Sequence, residues 1–576
     1  MQKQCVQCSA RFEVTDEDMA FYQRMEVPPP TFCPLCRFRR RCSFMNTRNF
    51  YPRACAEDGG VCMSMYPEDS LLQIIHDKIW WSDEIDFLGF GRDYDFSTSF
   101  FEQFYQLFNE VPVAHLQREY SSLENSDFCN AISNSKNCYL VMNAEFNEDC
   151  MYCFSMSENK NCIDCMHAVK SELCYECVDT ETCYSCKYCQ HCEGCSDLVF
   201  CRDCIGCADC FGCIGLRQKK YHIFNKPHTE EQYKQHIADL KLLGWNSVQE
   251  IQKQVSQFFV TQPHKFTHSK SNQDVEGDYI YQSKNTHDSY IVEKVEESKF
   301  CDLLRYVTTG TNYAYDYTSF GVEAEFVYDT AWCGLGINNI KFSLWNYGSS
   351  DLEYCFGCHY SDHLFGCSGL RHQKYCILNK QYTKEGYEEL IPKIKKQMMD
   401  IPYKDINGIE YRYGEFFPAS FSPFYFNHTW AQDFSPMSRE ECEKLHYHWC
   451  ERKDRPDSNI LHWSELPNSI EDVEDNILNA TILCKAHDED ATKAQDHNCI
   501  QHFKITSQEL DFYRRLKLPI PRYCHNSRYK QKLGELNPRH LWDRNCQKCQ
   551  KAIKTSYEPS RPEIVYCEEC YLKEVY

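Results

Sequence analysis

Along residues 126–216, small and apolar side chains occupy every third position of the chain, and charged side chains fall between them. Eighteen cysteines from Cys129 to Cys213 all lie on this three-residue lattice, together with Ser, Asn, Thr and aliphatic residues. Such a period matches neither the 3.6-residue repeat of an α-helix nor the two-residue repeat of a flat strand. The pattern predicts a narrow β-solenoid of about twelve residues per coil, in which each coil packs on its neighbours.

A second lattice follows, because the segment FGCIGLRQKKYHIFNK (211–226) recurs as FGCSGLRHQKYCILNK (365–380). The three-residue spacing runs through 280–301 and 337–367, where Ser, Val, Ile or Leu replaces most cysteines. Four large or charged residues interrupt it between these stretches: Tyr313, Asp316, Glu325 and Tyr328. We therefore predict a second solenoid with irregular coils in its middle.

The lattice cysteines leave three interpretations open. A buried cysteine behaves as a small hydrophobe and can fill a thin core, which the replacements in the second lattice favour. Coordination of an iron–sulfur cluster or Cu(I) is the second interpretation, and the dense stretch 183–213 is the strongest candidate for it. Disulfide formation is the third.

The ends of a repeat stack expose apolar surface and require caps. Each lattice ends in Gly-Leu-Arg, a short strand, an Asn-Lys turn and a helix-like segment opened by Thr229 or Thr383. Threonine is a favoured N-cap, and a glutamate follows in each first turn. We predict capping helices over 229–259 and 383–400.

The two ends of the chain are copies of each other. FEVTDEDMAFYQRMEVPPPTFCPLCR (12–37) aligns without a gap with FKITSQELDFYRRLKLPIPRYCHNSR (503–528), an offset of 491 positions. The identical pairs include Phe12/Phe503, Thr15/Thr506, Phe21/Phe512, Tyr22/Tyr513, Pro28/Pro519, Cys33/Cys524 and Cys55/Cys546. A register held this far indicates an internal duplication.

Each copy contains one complete set of four cysteines in paired Cys-x-x-Cys motifs. The set in the first copy is Cys5, Cys8, Cys33 and Cys36, and the set in the second copy is Cys546, Cys549, Cys567 and Cys570. Zinc prefers four soft ligands at tetrahedral angles, and each Cys-x-x-Cys turn supplies two thiolates. The spacing predicts two structural zinc sites.

Each copy has a second group of four ligand positions, and this group has lost cysteines that the other copy retains. In the first copy Asp58, His76 and Ile79 correspond to Cys549, Cys567 and Cys570, which leaves Cys55, His76 and a shifted Cys62 as degraded ligands. In the second copy Asp496 and Ser527 correspond to Cys5 and Cys36, which leaves Cys499 and Cys524 with Cys484, His497 or His525 as substitutes. The simpler interpretation is that these half-sites are relics of the duplication.

One basic run, RFRRRC (37–42), begins next to the last ligand of the first set. Four arginines in it are candidate nucleic-acid contacts: Arg37, Arg39, Arg40 and Arg41. Zinc knuckles with Arg and Phe can bind RNA phosphates and stack on bases, although a solvated basic face is the simpler interpretation.

Cys442, His446, His448 and Cys450 form another group of residues with metal-ligand side chains that lie close together in the sequence. Spacing alone does not make this group a metal site.

Composition narrows the function. The formal charge is −22 in 576 residues, which argues against general polyanion binding. There is no apolar stretch of membrane-spanning length and no signal-like pattern, so we expect a cytoplasmic protein without membrane association. Forty cysteines in a reducing compartment favour metal binding over disulfides. No phosphate-binding loop, nucleophile elbow or zinc-protease motif is present, so the sequence predicts neither catalysis nor a small-molecule substrate.

Several motifs carry a resemblance: CPLCRFRRR, WWSDEIDFLGFGRDYDFSTSFFEQF, the Asn-Cys-Tyr coil beginning at Asn137, FGCIGLRQKKYHIFNK, YGEFFP and YCEECYLKEVY. In these the chain resembles, over nearly its whole length, a family of cysteine-rich zinc-ribbon and repeat proteins of ultra-small candidate-phyla bacteria. The resemblance implies zinc-ribbon-like ends and a repeat centre and assigns no activity. It also implies more complete knuckles than this chain has, which counts against zinc at Asp58, Ile79, Asp496 and Ser527.

The expected fold is mainly β, with two narrow solenoids, helical caps and flanking treble-clef or zinc-ribbon-like modules. The predicted order is a zinc module (1–80), an aromatic lead-in with a helix (81–125), solenoid 1 (126–228), capping helices (229–262), solenoid 2 (263–382), a capping helix (383–402), an aromatic wrap with an acidic linker (403–483) and a second zinc module (484–576). The expected function is a non-enzymatic zinc-binding scaffold for protein partners. The alternatives are an RNA- or ribosome-associated protein and a thiol or metal reservoir.

Overall fold

The computed structural model describes residues 1–240, 244–305, 309–451 and 460–576, with more strand than helix. The chain divides into two compact units, each built from two separate stretches. Residues 1–117 and 267–450 form unit 1, and residues 118–266 and 451–576 form unit 2. The N-terminal module therefore shares a unit with the second lattice, and the C-terminal module with the first. No helix in the described parts of the chain combines the length and apolar character needed to span a bilayer.

In the first lattice, parallel strands pair at a regular spacing of twelve residues. Ile132 pairs with Ala144, and Ala144 pairs with Met156. The strands are Asn130–Ser133, Met142–Glu145, Phe154–Ser157, Met166–Val169, Val178–Glu181, Ser196–Val199, Ala208–Phe211 and Lys220–Ile223. All eighteen lattice cysteines are buried and belong to one core cluster. The three-residue pattern thus identified the inward-facing residues of this region.

The corners between these strands require an unusual backbone conformation. The residue before a lattice position commonly has positive φ, as in Asn137 (51°), Asp149 (54°), Asn161 (52°) and Gly206 (62°). The left-handed region is disfavoured for most residues and best tolerated by Gly, Asn and Asp. This recurring corner explains why the next side chain points inward at every third position.

The second lattice is irregular in its middle, as the interrupting residues predict. Leu352 pairs with Leu364 at the twelve-residue spacing, but the register shift is thirteen residues from Val327 to Ile340. The strands are Ser269–Lys270, Gln273–Tyr281, Lys284–Glu293, Val295–Lys299, Asp302–Leu304, Thr311–Phe320, Ala324–Cys333, Ile337–Lys341, Ser350–Glu353, Asp362–Phe365 and Lys374–Ile377. Because longer coils change the phase of the pattern, a fixed period of three cannot follow the core through this stretch.

The predicted N-caps of the capping helices are confirmed. The side chain of Thr229 accepts a hydrogen bond from the backbone N–H of Gln232 at the start of the helix Glu230–Asp239. Thr383 similarly begins the helix Lys384–Asp400. The first of these is followed by a further helix, Trp245–Val260.

The terminal modules repeat the same elements at the offset of the sequence duplication. The first contains the helices Asp16–Arg24, Pro34–Cys42 and Asp77–Trp80 and the hairpin strands Tyr51–Ala54 and Val61–Ser64. The second contains the helices Ser507–Leu516, His525–Leu533 and Glu568–Val575 and the hairpin strands Trp542–Asn545 and Ala552–Thr555. Thr15 and Thr506 form capping boxes at equivalent helix starts, as predicted.

The connecting segments pack against these elements. The lead-in region contains the helix Phe100–Glu110, and Phe100 contacts Phe365 of the second lattice. Within the aromatic wrap, Phe417 contacts Tyr354 of the same lattice. The acidic segment 465–476 contributes buried apolar residues to the core of the second module, so it is more than a linker.

The remaining helices and strands are short. The helices are Trp430–Phe434, Arg439–Lys444, Lys485–Glu489 and Ala491–Asp496. The strands are Gln2–Gln4, Arg11–Glu13, Ile74–Ile75, Val113–Ala114, Lys226–Pro227, Pro263–Lys265, Lys380–Gln381, Tyr403–Lys404, Glu410–Tyr411, Ile460–Leu461, Thr481–Leu483, His502–Phe503 and Ile564–Tyr566.

Candidate metal centres

The first predicted cysteine set comes together in the N-terminal module. The sulfur atoms of its four residues lie within 4.8 Å of one another: Cys5, Cys8, Cys33 and Cys36. The first two residues lie in the turn between strands Gln2–Gln4 and Arg11–Glu13, and the last two lie at the start of the helix Pro34–Cys42. Cys8 Sγ is 3.7 Å from Cys33 Sγ. A hairpin turn and a helix start thus present four thiols to one point.

The second set has the same construction at the other end of the chain. Its four sulfur atoms also lie within 4.8 Å of one another: Cys546, Cys549, Cys567 and Cys570. The first two lie in the turn between Trp542–Asn545 and Ala552–Thr555, and the last two lie at the start of the helix Glu568–Val575. In both sets three thiols are buried and one is exposed. Both sets can hold a metal ion.

In each set the surroundings favour the thiolate form of one residue, whereas the hydrogen bond with Cys33 raises the pKa of Cys36 and burial raises that of Cys570. Hydrogen bonds from the Cys33 and Cys36 thiols lower the pKa of Cys5, against the opposing effect of burial. Burial opposes ionisation of Cys546 as well, but backbone N–H groups near Cys549 and Cys567 outweigh it and lower its pKa to about 6. Helix N-termini add a positive dipole at each site. A thiolate is the form that binds metal.

The half-site of the N-terminal module differs from the prediction in one ligand. Cys55, Asp58 and His76 have ligand atoms within 4.8 Å of one another, whereas Cys62 lies outside this group. The predicted shift from a lost ligand to Cys62 is therefore wrong, because the carboxylate of Asp58 occupies the position of the thiol Cys549 in the other copy. Asp58 is exposed, and the fourth corresponding position is the apolar Ile79.

The half-site of the C-terminal module assembles three thiols. Cys484, Cys499 and Cys524 have sulfur atoms within 4.8 Å of one another, and all three are buried. His525 does not belong to this group, because its ring stacks on Tyr152 with a centroid distance of 5.6 Å. The prediction of His525 as a substitute ligand is wrong.

Two other sets of residues with metal-ligand side chains differ in whether their ligand atoms come close together. Within the part of the chain that the structure describes, Cys442, His446, His448 and Cys450 form no group with ligand atoms within 4.8 Å of one another. On the second lattice, Asp351, Asp362 and His363 do form such a group, and His363 Nδ1 lies 2.6 Å from Asp362 Oδ1. All three are partly exposed, and exposed acidic groups are common without a metal ion.

Three of the four predicted nucleic-acid contacts are buried within unit 1. Arg37, Arg40 and Arg41 are each at most 1% exposed. Arg37 Nη2 lies 2.8 Å from Asp316 Oδ2, and Arg41 Nη1 lies 2.6 Å from Asp329 Oδ1.

Two further contacts complete the arginine cluster. Arg40 is paired with Asp329 and Glu415, so three buried guanidinium groups face three carboxylates. Arg39 donates to the backbone and side chain of Ser435. Buried arginines that pair with carboxylates cannot reach a phosphate, so the interpretation of Arg37, Arg40 and Arg41 as RNA contacts is wrong.

Unit 2 contains the equivalent contacts with different residues. Arg528 and Lys532 correspond to Arg37 and Arg41 at the duplication offset. Arg528 Nε lies 2.9 Å from Asp164 Oδ2, and Lys532 Nζ lies 2.7 Å from Glu176 Oε2. Asp164 lies between lattice positions, yet it is only 3% exposed. In each unit, ion pairs thus join the helix that begins at Pro34 or His525 to a lattice.

The lattice thiols, unlike the thiols of the two four-cysteine sets, donate hydrogen bonds to backbone carbonyl oxygens. Cys177 Sγ donates to the carbonyl oxygen of Tyr175 at 3.5 Å and to that of Cys186 at 3.4 Å. The same two acceptors, two residues before and nine residues after, recur for Cys165 and Cys201. A thiol must keep its proton to donate in this way. Burial raises the pKa of Cys129 to about 12, whereas hydrogen bonds from neighbouring lattice thiols lower the pKa of Cys186, Cys207 and Cys213.

A serine reproduces this pattern where it replaces cysteine. Ser171 lies one coil before Cys183, and its hydroxyl donates to the carbonyl oxygen of Val169 at 3.0 Å. Its oxygen accepts from the backbone N–H of Cys183 at 3.2 Å. Cysteine and serine are therefore interchangeable hydrogen-bonding fillers in this column of the core.

We expect Cys183→Ser to lower the free energy of unfolding by less than about 1 kcal/mol and to leave the bound metal unchanged. Cys183→Leu should cost about 1–3 kcal/mol, because the thin core has no room for two more methylenes. Urea denaturation and elemental analysis of both variants measure these effects. Metal loss in Cys183→Ser would instead assign the lattice thiols to a metal cluster.

Comparisons with known proteins give no identification. No protein-family model matches the chain, and no curated protein matches it. Among solved structures, a similarity is found to a Desulfovibrio desulfuricans G20 protein whose description provisionally assigns it as an acetyltransferase. The identity is 8% and the TM-score 0.10, and the match covers 42% of this chain and 63% of the length of that chain. A TM-score this low carries no argument about fold or function.

Proposed function

We propose that this chain is a non-enzymatic, zinc-binding scaffold. In this proposal the terminal modules are treble-clef-like zinc knuckles, and the two lattices are narrow β-solenoids whose outer faces bind protein partners in a reducing compartment. The observation that carries the proposal is the convergence of four thiols at each of two points, each built from a hairpin turn and a helix start.

Zinc is the metal that best fits these sets. Four thiolates from two Cys-x-x-Cys turns match its preference for soft ligands in tetrahedral geometry. All four positions of each set are filled by protein ligands, which leaves no coordination position for a substrate. Closed sites of this kind stabilise structure, whereas catalytic zinc retains an open position.

The regular pairing of strands supports the solenoid part of the proposal. In a stack of coils each strand contacts its neighbours, and its outer side chains form continuous rows on the surface. The helices that begin at Thr229 and Thr383 follow the last strands of each lattice, where a stack needs a cap. Extended rows of side chains are suited to binding partners.

The alternative functions have less support. The reservoir function requires reactive or metal-binding thiols, but the lattice thiols donate hydrogen bonds to backbone carbonyls. The RNA-binding function was predicted from four arginines, three of which are buried and paired with carboxylates. These observations favour the scaffold over both alternatives.

Elemental analysis with a free-thiol count, on full-length protein purified without a metal-affinity tag, tests the proposal. We expect at least two equivalents of zinc per chain and iron and copper far below one equivalent. The lattice thiols should react only after unfolding and should then be found reduced. Stoichiometric iron or copper would contradict the proposal, and co-purifying RNA that is lost steeply with salt would favour the RNA-binding alternative.

A further inference from the structure

We propose that the C-terminal module contains a third metal site, made of three thiolates and one hydroxyl, which binds a zinc-type ion more weakly than the two four-cysteine sets. Its ligands are Cys484, Cys499, Cys524 and Ser527. The three sulfur atoms lie within 4.8 Å of one another, and Cys524 Sγ is 3.7 Å from Cys499 Sγ. None of these residues belongs to either four-cysteine set.

The duplication shows that this site is rebuilt from a new residue. Cys499, Cys524 and Ser527 occupy the positions of Cys8, Cys33 and Cys36 in the first module, but the position of Cys5 is an aspartate. The third thiol comes instead from Cys484, which lies before the aligned segment. A decaying relic is expected to lose thiols rather than to gain one from outside its repeat.

Local structure explains how Cys484 reaches the site. It follows the strand Thr481–Leu483, which pairs antiparallel with His502–Phe503 of the module. The backbone N–H of Cys484 donates to the carbonyl oxygen of Gln501 at 2.7 Å. The backbone N–H of Cys524 in turn donates to Cys484 Sγ at 3.2 Å. These contacts fix the thiol beside the knuckle.

The hydroxyl of Ser527 completes the group. Ser527 Oγ lies 3.3 Å from Cys524 Sγ and 3.5 Å from Cys484 Sγ. The three cysteines are at most 2% exposed and Ser527 is 5% exposed. The thiols of this group contact one another and a hydroxyl. Four ligand atoms therefore surround one small buried volume, as in the first module.

The ligand types determine the expected affinity. Thiolates are soft ligands that select zinc and similar ions, and three of them suffice to bind when a fourth donor completes the coordination. A neutral hydroxyl is a harder and weaker donor than a thiolate. The third site should therefore release its ion first when a chelator is added.

A zinc titration with a chromophoric chelator, on full-length protein purified without a metal-affinity tag, tests this inference. We expect three equivalents of zinc, of which one is removed at a lower chelator concentration than the other two. Cys484→Ser should abolish only the weak equivalent. The matched control Cys183→Ser, a lattice change in the same unit, should leave all three.

The variant Ser527→Cys provides a second readout that does not depend on loss of a ligand. It recreates the four-cysteine pattern of the first module, so the weak equivalent should bind at least about tenfold more tightly. The inference is overturned if wild type holds two equivalents and Ser527→Cys still holds two. That result leaves the proposed function intact, whereas absence of zinc from the four-cysteine sets would overturn the proposed function itself.

Discussion

Cys33→Ser is expected to leave three thiolates and one hydroxyl in the N-terminal set, the donors of the proposed third site, so that its zinc is released at the same low chelator concentration and the N-terminal module then unfolds. Cys33 is 6% exposed, and its sulfur lies between the hairpin turn and the helix Pro34–Cys42 that it caps. Structural zinc contributes about 10–16 kcal/mol to the folding of small zinc-binding domains at neutral pH, so losing it removes the main stabilising interaction of a knuckle. Elemental analysis and protease cleavage within residues 1–47 measure the outcome.

The control for this variant is the same chemical change at Cys183. There a serine takes over the hydrogen bonds of the thiol, as Ser171 does one coil earlier, so zinc content and protease resistance should stay at wild-type values. Zinc that Cys33→Ser retains at the chelator concentration that empties the proposed third site would show that the first set does not bind through this residue. Equal losses in both variants would show that knuckle and lattice cysteines are not functionally distinct.

Acid should remove zinc from the wild-type protein by the same mechanism. Metal binding requires thiolates, so protons compete with zinc and the affinity falls as the pH falls. The lattice has the opposite requirement, because its thiols donate hydrogen bonds to backbone carbonyl oxygens. Acidification should therefore open the knuckles before the lattices, and hydrogen exchange resolved by segment distinguishes the two.

The sequence predicted those features that depend on short-range spacing. The three-residue pattern identified the buried residues of the first lattice, from Cys129 to Cys213. The Cys-x-x-Cys spacings identified both four-thiol groups, since a tight turn and a helix start are local structures. Thr229 and Thr383 were found for the same reason, because an N-cap contacts only the following turn.

Long-range pairing could not be predicted in this way. Local patterns do not specify which terminal module packs against which lattice. The arginine run was interpreted as solvated because its carboxylate partners are far away in the sequence. Asp316 lies 279 positions from Arg37 along the chain. The duplication contained one unused signal: the offset that pairs Arg37 with Arg528 also pairs Arg41 with Lys532, so positive charge is retained in both copies.

A second unused signal marks the corners of the coils. Asn, Asp and Gly recur immediately before lattice residues, as at Asn137, Asp149, Asn161 and Gly206. These are the residue types that tolerate the left-handed backbone found there. Counting them would have predicted turns at these steps of the lattice. The longer coils around Thr311–Phe320 remain beyond such counting, because their register shift is thirteen residues.

Arg37→Met is expected to destabilise the contact between the N-terminal module and the second lattice by about 3–5 kcal/mol. The change leaves Asp316 buried with one guanidinium fewer, and an uncompensated buried charge is strongly unfavourable. Arg41 Nη1 lies 3.3 Å from Asp316 Oδ1 and already pairs with Asp329, so it compensates only in part. Hydrogen exchange of the helix Pro34–Cys42 should be accelerated at least about 100-fold.

Two variants separate the buried charge from a general effect of losing arginine. Arg37→Met combined with Asp316→Asn restores the balance of charge and should recover most of the protection, because the amide oxygen introduced by the second change can still accept from Arg41. Lys393→Met breaks an exposed pair with Glu389 of similar length, 2.6 Å, and should change stability by less than about 0.5 kcal/mol. If the double variant exchanged as fast as Arg37→Met, the stabilisation would come from packing of the guanidinium group and not from its charge. Slow exchange in Arg37→Met would show that the remaining module contacts suffice without this pair.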